Sequence, residues 1–297
     1  MVGNVGNVGN VGNVGNVGNV GNVGNLGAGG AGSWVMADRI DLPFVAAEQQ
    51  TFNGTTWAGT GADADKVKFS GATWRNRDWG ANWWAWQVVL AFVGTDWQTS
   101  ITGPMLGSIP TGQDLEKELA GLLEIARDER ADAIGEIVEQ STSYTDFAAY
   151  FMALLRISAS SHPQTYRLLH VAGLIGIVTS MKFKKDFNRP RPSQLLPALM
   201  PPVPVPGHPS FPSGHATQAV LMAKCLQAAL PTAQQTDMGK LLDTMAWRIA
   251  RNREIAGLHY PSDTDAGTRL ALQVFSKLST IPLFADETLK NAKDEWK

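Results

Sequence analysis

Cysteine and long apolar runs are nearly absent from this sequence, and both absences narrow what the chain can be. Cys225 is the single cysteine among 297 residues, so no disulfide can form within the chain. It sits in an apolar stretch that predicts a helix, where a buried thiol is favoured over a nucleophile. The longest apolar run, residues 171–181, falls short of the roughly 20 residues needed to span a bilayer.

A strong net charge and a secretory leader are also lacking. The formal net charge of -2 provides no overall basic field for nucleic acid, so an anion site would have to be local. Glycine and asparagine interrupt every valine near the N-terminus, which excludes the continuous apolar stretch of a signal peptide. We therefore expect a soluble, cytoplasmic protein with no transmembrane segment and no nucleic-acid partner. The oligomeric state stays open.

The N-terminal third divides into two predicted parts. Residues 1–33 carry a Val-Gly-Asn repeat without proline, and such glycine-rich polar repeats bury too little surface to order themselves, which predicts a disordered tail. Residues 34–110 are rich in Gly, Thr, Asn and Trp, and we expect an irregular segment whose tryptophans pack onto the main domain. A stacking platform for carbohydrates or nucleobases is the alternative interpretation.

Helical patterns dominate from residue 111 to residue 285, the predicted catalytic domain. Apolar residues recur at spacings near 3.6 over 113–139, and further helices are predicted over 146–158, 164–185, 215–230, 233–256 and 262–280. Nine prolines in residues 190–212 predict a long ordered loop or lid, since proline ends helices and interior strands. With no alternating strand pattern, the sequence predicts an all-α bundle of six or seven helices.

Two short segments at helix ends carry candidate anion-binding groups. Lys184 and Arg191, the latter followed by Pro192, form a cationic patch, which could equally be a solvated helix end. Ser213, Gly214 and His215 begin an apolar helix, where free N–H groups and a hydroxyl suit an anion and the histidine could act as acid or base. Serine capping without a ligand is the alternative.

A third segment pairs a histidine with a carboxylate. Arg253 is followed by His259 and Asp263, and Pro261 suits the first position of a helix. This spacing predicts that the Asp263 carboxylate bonds one imidazole nitrogen of His259 and leaves the other free as a nucleophile or ligand. A lone histidine is more often structural, but the three segments together favour an active site.

In order and spacing, the three segments resemble the signature of the type 2 phosphatidic acid phosphatase (PAP2) and vanadium haloperoxidase superfamily, and specifically its soluble bacterial-type members. The signature reads Lys-x6-Arg-Pro, Pro-Ser-Gly-His and Arg-x5-His-x3-Asp, and it is met here between Lys184 and Asp263. The resemblance covers about residues 145–280 and implies a helical bundle with its site among helix ends. It says little about residues 1–110.

The resemblance implies a role for each motif residue. Lys184, Arg191 and Arg253, assisted by Ser213 and Gly214, would neutralise the oxygens of a bound oxyanion. His259, oriented by Asp263, would attack phosphorus, and His215 would protonate the leaving oxygen and then activate water.

Two details of the signature are ambiguous in this chain. Lys182 with Arg189-Pro190 has the same spacing as Lys184 with Arg191-Pro192, and we choose the second pair because relatives often use the second arginine of Arg-Pro-Arg-Pro. Asn252 stands where many relatives have serine, a change that could alter bonding behind the site.

The signature fits two oxyanions, phosphate as substrate or vanadate as cofactor. A phosphomonoesterase working through a phosphohistidine and needing no cofactor is the main hypothesis, and it suits the length of the chain. The alternative is a vanadate-dependent haloperoxidase in which His259 binds vanadium and His208 lies on the halide side, because bromide-oxidising relatives carry a histidine there. His208 could equally be a loop histidine bonded to a neighbouring carbonyl. A protein that only binds phosphate or polyanions is a third hypothesis.

Overall fold

The computed structural model describes residues 51–52, 57–58, 76 and 79–297. In the first part, β1 (Thr51–Phe52) pairs antiparallel with β2 (Trp57–Ala58), with Phe52 and Trp57 as backbone partners in the register. The predicted tail, residues 1–33, lies outside the described residues, and so does nearly all of residues 34–80. Residues 81–297 form a compact unit of their own.

This unit is built from helices, in agreement with the all-α prediction. Within residues 111–285, seven helices have ten or more residues, in agreement with the six or seven predicted there, and one more such helix lies before them within residues 81–110. The helices are α1 (Ala81–Val93), α2 (Trp97–Ser100), α3 (Gly112–Asp128), α4 (Arg130–Glu139), α5 (Tyr144–Leu155), α6 (Pro163–Phe187), α7 (Pro192–Leu195), α8 (Gly214–Ala229), α9 (Thr232–Ile255), α10 (Pro261–Leu278) and α11 (Lys290–Asp294). Short 3-10 turns at Gly103–Leu106 and Pro197–Leu199 and a π-helix at Leu283–Leu289 complete it.

Helix α8 forms the centre of the bundle and packs against α6, α9 and α10. Its buried residues lie on all sides, as expected of a helix enclosed by others. Cys225 is among them, and burial raises the pKa of its thiol, which agrees with the structural role predicted for it. At Gly267 of α10, a methyl group would come within 2.5 Å of the Ser213 carbonyl oxygen, so glycine allows α10 to approach the start of α8.

Helix α1 corrects the prediction of an irregular segment over 34–110. It packs against α6, and Trp84 is buried there, with its indole N–H donating to Thr288 Oγ1 at 2.9 Å. Trp83 and Trp86 on the same helix stay exposed, so apolar residues occur on both faces and hide the helical period. Helix α1 thus lies within the compact unit formed by residues 81–297.

The proline-rich stretch, residues 190–212, is mostly an ordered loop, as predicted, with two short helical turns inside it. Helix α7 starts at Pro192, where the missing N–H costs no hydrogen bond. Arg130 of α4 fastens the loop by donating to the carbonyls of Leu199 at 2.7 Å and Met200 at 3.1 Å. The Phe211–Pro212 peptide bond is cis and leads into α8.

Residues typical of helix ends occur where the helices near this loop start and stop. Helix α6 ends at Asn188, whose φ of 49° lies in the left-handed region that asparagine tolerates. Ser213 caps α8 by accepting from the Ala216 N–H at 3.4 Å, and α10 begins at Pro261. None of the helices in the described ranges combines the length and apolar character that crossing a bilayer requires.

Candidate active site

The C-terminal half of α6, the starts of α5 and α8, the end of α9, the proline-rich loop and the segment just before α10 line a cavity of about 440 Å³. Seven of the residues that the sequence singles out line it: Lys184, Arg191, His208, Gly214, His215, Arg253 and His259. Ser213 and Asp263 are buried behind this lining. The three motif segments, which are far apart in the sequence, therefore meet at one place.

Lys184 and Arg191 bring two buried positive charges to the cavity. Lys184 Nζ donates to the carbonyl oxygens of Pro209 at 2.9 Å and Ser210 at 2.8 Å. Arg191 donates from Nη1 to the Leu258 carbonyl at 2.9 Å. Burial lowers the pKa of Arg191 to about 10, and burial together with the Arg191 charge lowers the pKa of Lys184. Among the described residues, neither cation forms an ion pair with a carboxylate, although the Asp263 charge acts on both.

Arg253 is the third cation, and its hydrogen bonding is incomplete. Its side chain is 1% exposed, yet Nε and Nη1 have no hydrogen-bond partner among the described residues. Burial and the nearby Arg191 charge lower the pKa of Arg253 to about 10. A buried guanidinium without acceptors is costly unless an anion completes it. Arg253 therefore points to an anionic ligand in this cavity.

His259 and Asp263 form the pair that the spacing predicts. The His259 Nδ1 and Asp263 Oδ2 atoms are 3.0 Å apart, and Arg191 Nη1 lies 2.9 Å from His259 Nε2. Because arginine can only donate, Nε2 must accept, so the proton sits on Nδ1 and is donated to Asp263. Burial and the surrounding cations hold the pKa of His259 well below its usual value. The Nε2 lone pair thus points to the cations.

Behind this pair lies a network that the sequence did not predict. Arg189 Nη1 donates to Asp263 Oδ1 and Nη2 donates to Glu118 Oε2, at 2.8 and 2.9 Å. Glu118, on α3, also accepts from the N–H and hydroxyl of Ser262. Burial raises the pKa of Asp263, and the Arg189 charge opposes that rise. Arg189 therefore acts through Asp263 and does not line the cavity.

This arrangement bears on the choice between the two motif registers. Lys184 and Arg191 both line the cavity, whereas Lys182 is partly exposed and forms an ion pair with Asp186 at 2.9 Å. The structure thus brings the chosen pair to the cavity and gives Arg189 a place behind it.

His215 and Asn252 are joined through Gln140. His215 Nε2 lies 2.9 Å from the Gln140 carbonyl oxygen, which can only accept, so Nε2 carries the proton. Asn252 donates to Glu136 Oε2 at 2.9 Å and to Gln140 Oε1 at 3.2 Å. Burial and the Arg253 charge lower the pKa of His215 well below its usual value. The asparagine that replaces the serine of many relatives thus supports the residue that holds His215.

Ser213 and His208 are the two remaining candidate site residues, and each forms hydrogen bonds within the protein. The Ser213 hydroxyl, which the resemblance implies as an anion ligand, caps α8 and is absent from the cavity lining, while Gly214 lines it. His208 lines the cavity as well, and its Nδ1 atom lies 3.0 Å from Arg191 Nη2 and 3.1 Å from the Pro209 carbonyl oxygen. Nδ1 accepts from Arg191 when it is unprotonated and donates to the carbonyl when it carries the proton, so the two hydrogen bonds belong to different tautomers.

A metal site is not found in this region. Among the residues that the structure describes, no group of three or more His, Cys, Asp or Glu side chains is placed to hold a metal ion. The cavity lining contains cations and histidines, a donor set that suits an oxyanion.

Comparisons with known proteins agree with this geometry. The model of the PAP2 superfamily matches residues 164–280, which contain all three motif segments. A non-specific acid phosphatase of Salmonella typhi is 29% identical over 147 residues, 47% of this chain and 56% of that protein. A non-specific acid phosphatase of Salmonella typhimurium (strain LT2) is 35% identical over 86 residues, 29% of this chain and 32% of that protein. The matched part of the chain thus spans about half or less of these curated relatives.

One solved structure was also matched to the chain. The transmembrane PAP2-type phosphatidylglycerolphosphate phosphatase from Bacillus subtilis is 17% identical, with a TM-score of 0.32, over 66% of this chain and 94% of that one. A TM-score this low does not establish a shared fold. The match over residues 164–280, which contain the three motif segments that meet at the cavity, shows that this region of the chain is similar to the PAP2 superfamily.

Proposed function

We propose that the protein is a phosphatase that hydrolyses small phosphomonoesters through a phosphohistidine formed on His259. One observation carries the proposal: three buried cations share a cavity with a histidine whose lone pair faces them, and two buried nitrogens of Arg253 have no partner in the part of the chain that the structure describes. A phosphate group supplies acceptors for those nitrogens and neutralises the cations. The acid phosphatases among the relatives support the same reaction class.

In the first step, His259 Nε2 attacks phosphorus and the bond from phosphorus to the ester oxygen breaks. Lys184, Arg191 and Arg253 neutralise the charge on the phosphoryl oxygens as it moves through the trigonal-bipyramidal state. Imidazole becomes positively charged as the P–N bond forms, and the Asp263 carboxylate stabilises that charge through the Nδ1 hydrogen bond. The nucleophile needs no base, since it is already neutral.

His215 supplies and recovers the proton. Its Nε2–H is held by the Gln140 carbonyl, so Nδ1 is the nitrogen left to protonate the leaving alcohol oxygen. In the second step, the same nitrogen takes a proton from water while the water oxygen attacks phosphorus and the P–N bond breaks. Free phosphate and neutral His259 result, and every atom and proton is accounted for.

Burial and the nearby cations lower the pKa of both histidines, which favours their neutral forms. A bound phosphate dianion opposes those cations, so the pKa of His215 rises when substrate binds. Protonated His215 is therefore formed in the complex, where the leaving oxygen needs it. This coupling suits a phosphatase that works on the acid side of neutrality and requires no cofactor.

A haloperoxidase reaction is not favoured, since both named relatives are acid phosphatases and His208 is engaged with Arg191. One purified sample tests the choice in two assays: hydrolysis of phenyl phosphate with and without vanadate, and oxidation of bromide with peroxide and vanadate. We expect hydrolysis that vanadate inhibits. Bromide oxidation switched on by vanadate, without hydrolysis, would contradict the proposal.

A protein that merely binds phosphate is distinguished by the variant His259→Ala. We expect this variant to retain phosphate affinity within about tenfold, since the three cations remain, and to lose turnover. Unchanged turnover in His259→Ala refutes the nucleophile assignment. Phosphate binding by the unaltered protein without any turnover supports the simple binding protein.

A further inference from the structure

One wall of the cavity, the apolar wall formed by Tyr144, Ile177 and Met181, is not used by the proposed chemistry. Ile177, Met181 and Lys184 are spaced at i, i+4 and i+7 along α6, so all three lie on one face of the helix, and all three line the cavity. The helix therefore presents a cation at one end of the cavity and apolar side chains at the other.

Exposure of this wall is unusual for such large side chains. Ile177 and Met181 each keep 41% of their surface exposed, and both line the cavity. Apolar area that faces a cavity beside a charged site is the kind that a ligand covers. In a bound phosphomonoester, the organic group points away from the cations that hold the phosphate. The apolar wall lies in the same cavity.

Tyr144 makes the wall rigid. Its hydroxyl is 2.9 Å from His170 Nδ1, and its ring lies over Gly173, where a methyl group would come within 2.3 Å of a ring carbon. Glycine at 173 therefore allows the ring to rest against the α6 backbone. The Tyr144 ring is thus held in place before a ligand binds, which favours affinity.

The lining also limits which organic groups fit. No aspartate or glutamate is among the lining residues, so a cationic group would find no counter-charge there. The volume of about 440 Å³ exceeds what a phosphate group alone fills and lies in the range of small-molecule sites.

We propose that the apolar wall binds the organic group of the substrate, and that the preferred substrates are phosphomonoesters of neutral, apolar alcohols. This inference rests on the proposed phosphatase function.

A homologous series tests this without altering the leaving-group chemistry. Ethyl, butyl and hexyl phosphate differ only in apolar length, and each methylene that becomes fully buried is worth roughly fourfold in kcat/KM. Because the wall is partly open, we expect at least about a fivefold rise in kcat/KM from ethyl to hexyl phosphate. Ethyl-, butyl- and hexylphosphonate, which cannot be hydrolysed, should show the same trend in affinity by calorimetry.

The double variant Ile177→Thr, Met181→Gln removes apolar surface while nearly keeping side-chain size. We expect it to reduce the chain-length trend to less than about twofold in both measurements. Leu272→Gln on α10, a residue 44% exposed and outside the cavity lining, is the matched control and should keep the full trend. Circular dichroism confirms that each variant is folded.

The four outcomes separate the two proposals. Trends in both series support both. A trend in phosphonate affinity without hydrolysis supports the apolar wall and refutes the phosphatase function. Hydrolysis with no trend in either series refutes the apolar wall alone. Absence of both hydrolysis and phosphonate binding refutes both proposals.

Discussion

Arg189 and Arg191 are close in sequence, yet we expect their replacement to affect different properties, stability for Arg189 and phosphate affinity for Arg191. Arg191 lines the cavity and donates toward His259, whereas Arg189 bonds Asp263 and Glu118 behind it. The substitutions Arg189→Ala and Arg191→Ala therefore remove different things. The first removes the positive charge that pairs with the carboxylates of Asp263 and Glu118. The second removes one of the three positive charges that line the anion site.

The expected losses follow from burial and from the partners that remain. Asp263 is fully buried and Glu118 is 15% exposed, and removing one member of a buried pair costs about 3–5 kcal/mol. Asp263 keeps its donors from His259 and Tyr260, so we expect Arg189→Ala to lower the free energy of unfolding by about 3 kcal/mol.

Arg191→Ala should instead weaken anion binding. One charge-assisted contact is worth about 2 kcal/mol, which corresponds to roughly 30-fold weaker phosphate binding. The free energy of unfolding of Arg191→Ala should differ from that of the unaltered protein by only about 1 kcal/mol. The variant loses two hydrogen bonds to backbone carbonyls, but it also loses the charge repulsion between Arg191 and the cations Lys184 and Arg253.

Calorimetric titration with phosphate and chemical denaturation measure the two effects separately. Lys182→Ala is the control, because its partly exposed ion pair with Asp186 should matter by less than about 0.5 kcal/mol in either assay. A larger loss of phosphate affinity in Arg189→Ala than in Arg191→Ala would refute the assignment of the motif register.

Three further predictions concern single residues. Asp263→Asn should lower kcat about 1,000-fold, since an amide cannot accept from both Arg189 and His259 Nδ1; a loss under about tenfold in steady-state assays argues against the orienting role. Burial lowers the pKa of His170 from 6.5 to about 4, so its contribution to stability is complete above pH 6.5 and is lost as pH falls. The unfolding free energy of the native chain relative to His170→Gln should thus drop by about 3 kcal/mol between about pH 7 and about pH 4, and a constant difference is the contrary result. Sulfate, which keeps its charge, should bind at least about tenfold more tightly at about pH 5 than at about pH 8, because a bound anion raises the pKa of His215; affinity that does not change with pH in calorimetry contradicts this.

Much of the helical unit could be predicted from local patterns. The predicted helix over 164–185 corresponds to α6, and that over 262–280 to α10, because apolar spacing and proline at the first position report helix starts directly. The predicted segment 146–158 begins two residues late, since Ser143 rather than a later residue caps α5. Helix α1 escaped prediction because exposed Trp83 and Trp86 mask its period.

Contacts in the site could be predicted when both residues belong to one short motif. Contacts between residues from distant segments of the sequence could not. The bond from His259 to Asp263 follows from a four-residue spacing at a helix start. Glu118 lies 71 residues before Arg189 and 144 before Ser262, so no local pattern could reveal that it bonds both. Tyr144 and Ile177, on two different helices, likewise carry no motif, and only the packing of α5 against α6 brings them to one cavity.

The central claim, that His259 is the nucleophile of a phosphatase, is tested most directly by trapping the intermediate. The protein is mixed with excess phosphate-labelled phenyl phosphate, quenched in alkali, which preserves phosphohistidine, and mapped by peptide mass spectrometry. We predict label on the peptide containing His259, stable in base and lost in acid, and no label in His259→Ala. Label on another residue, or full turnover in His259→Ala, would contradict the claim.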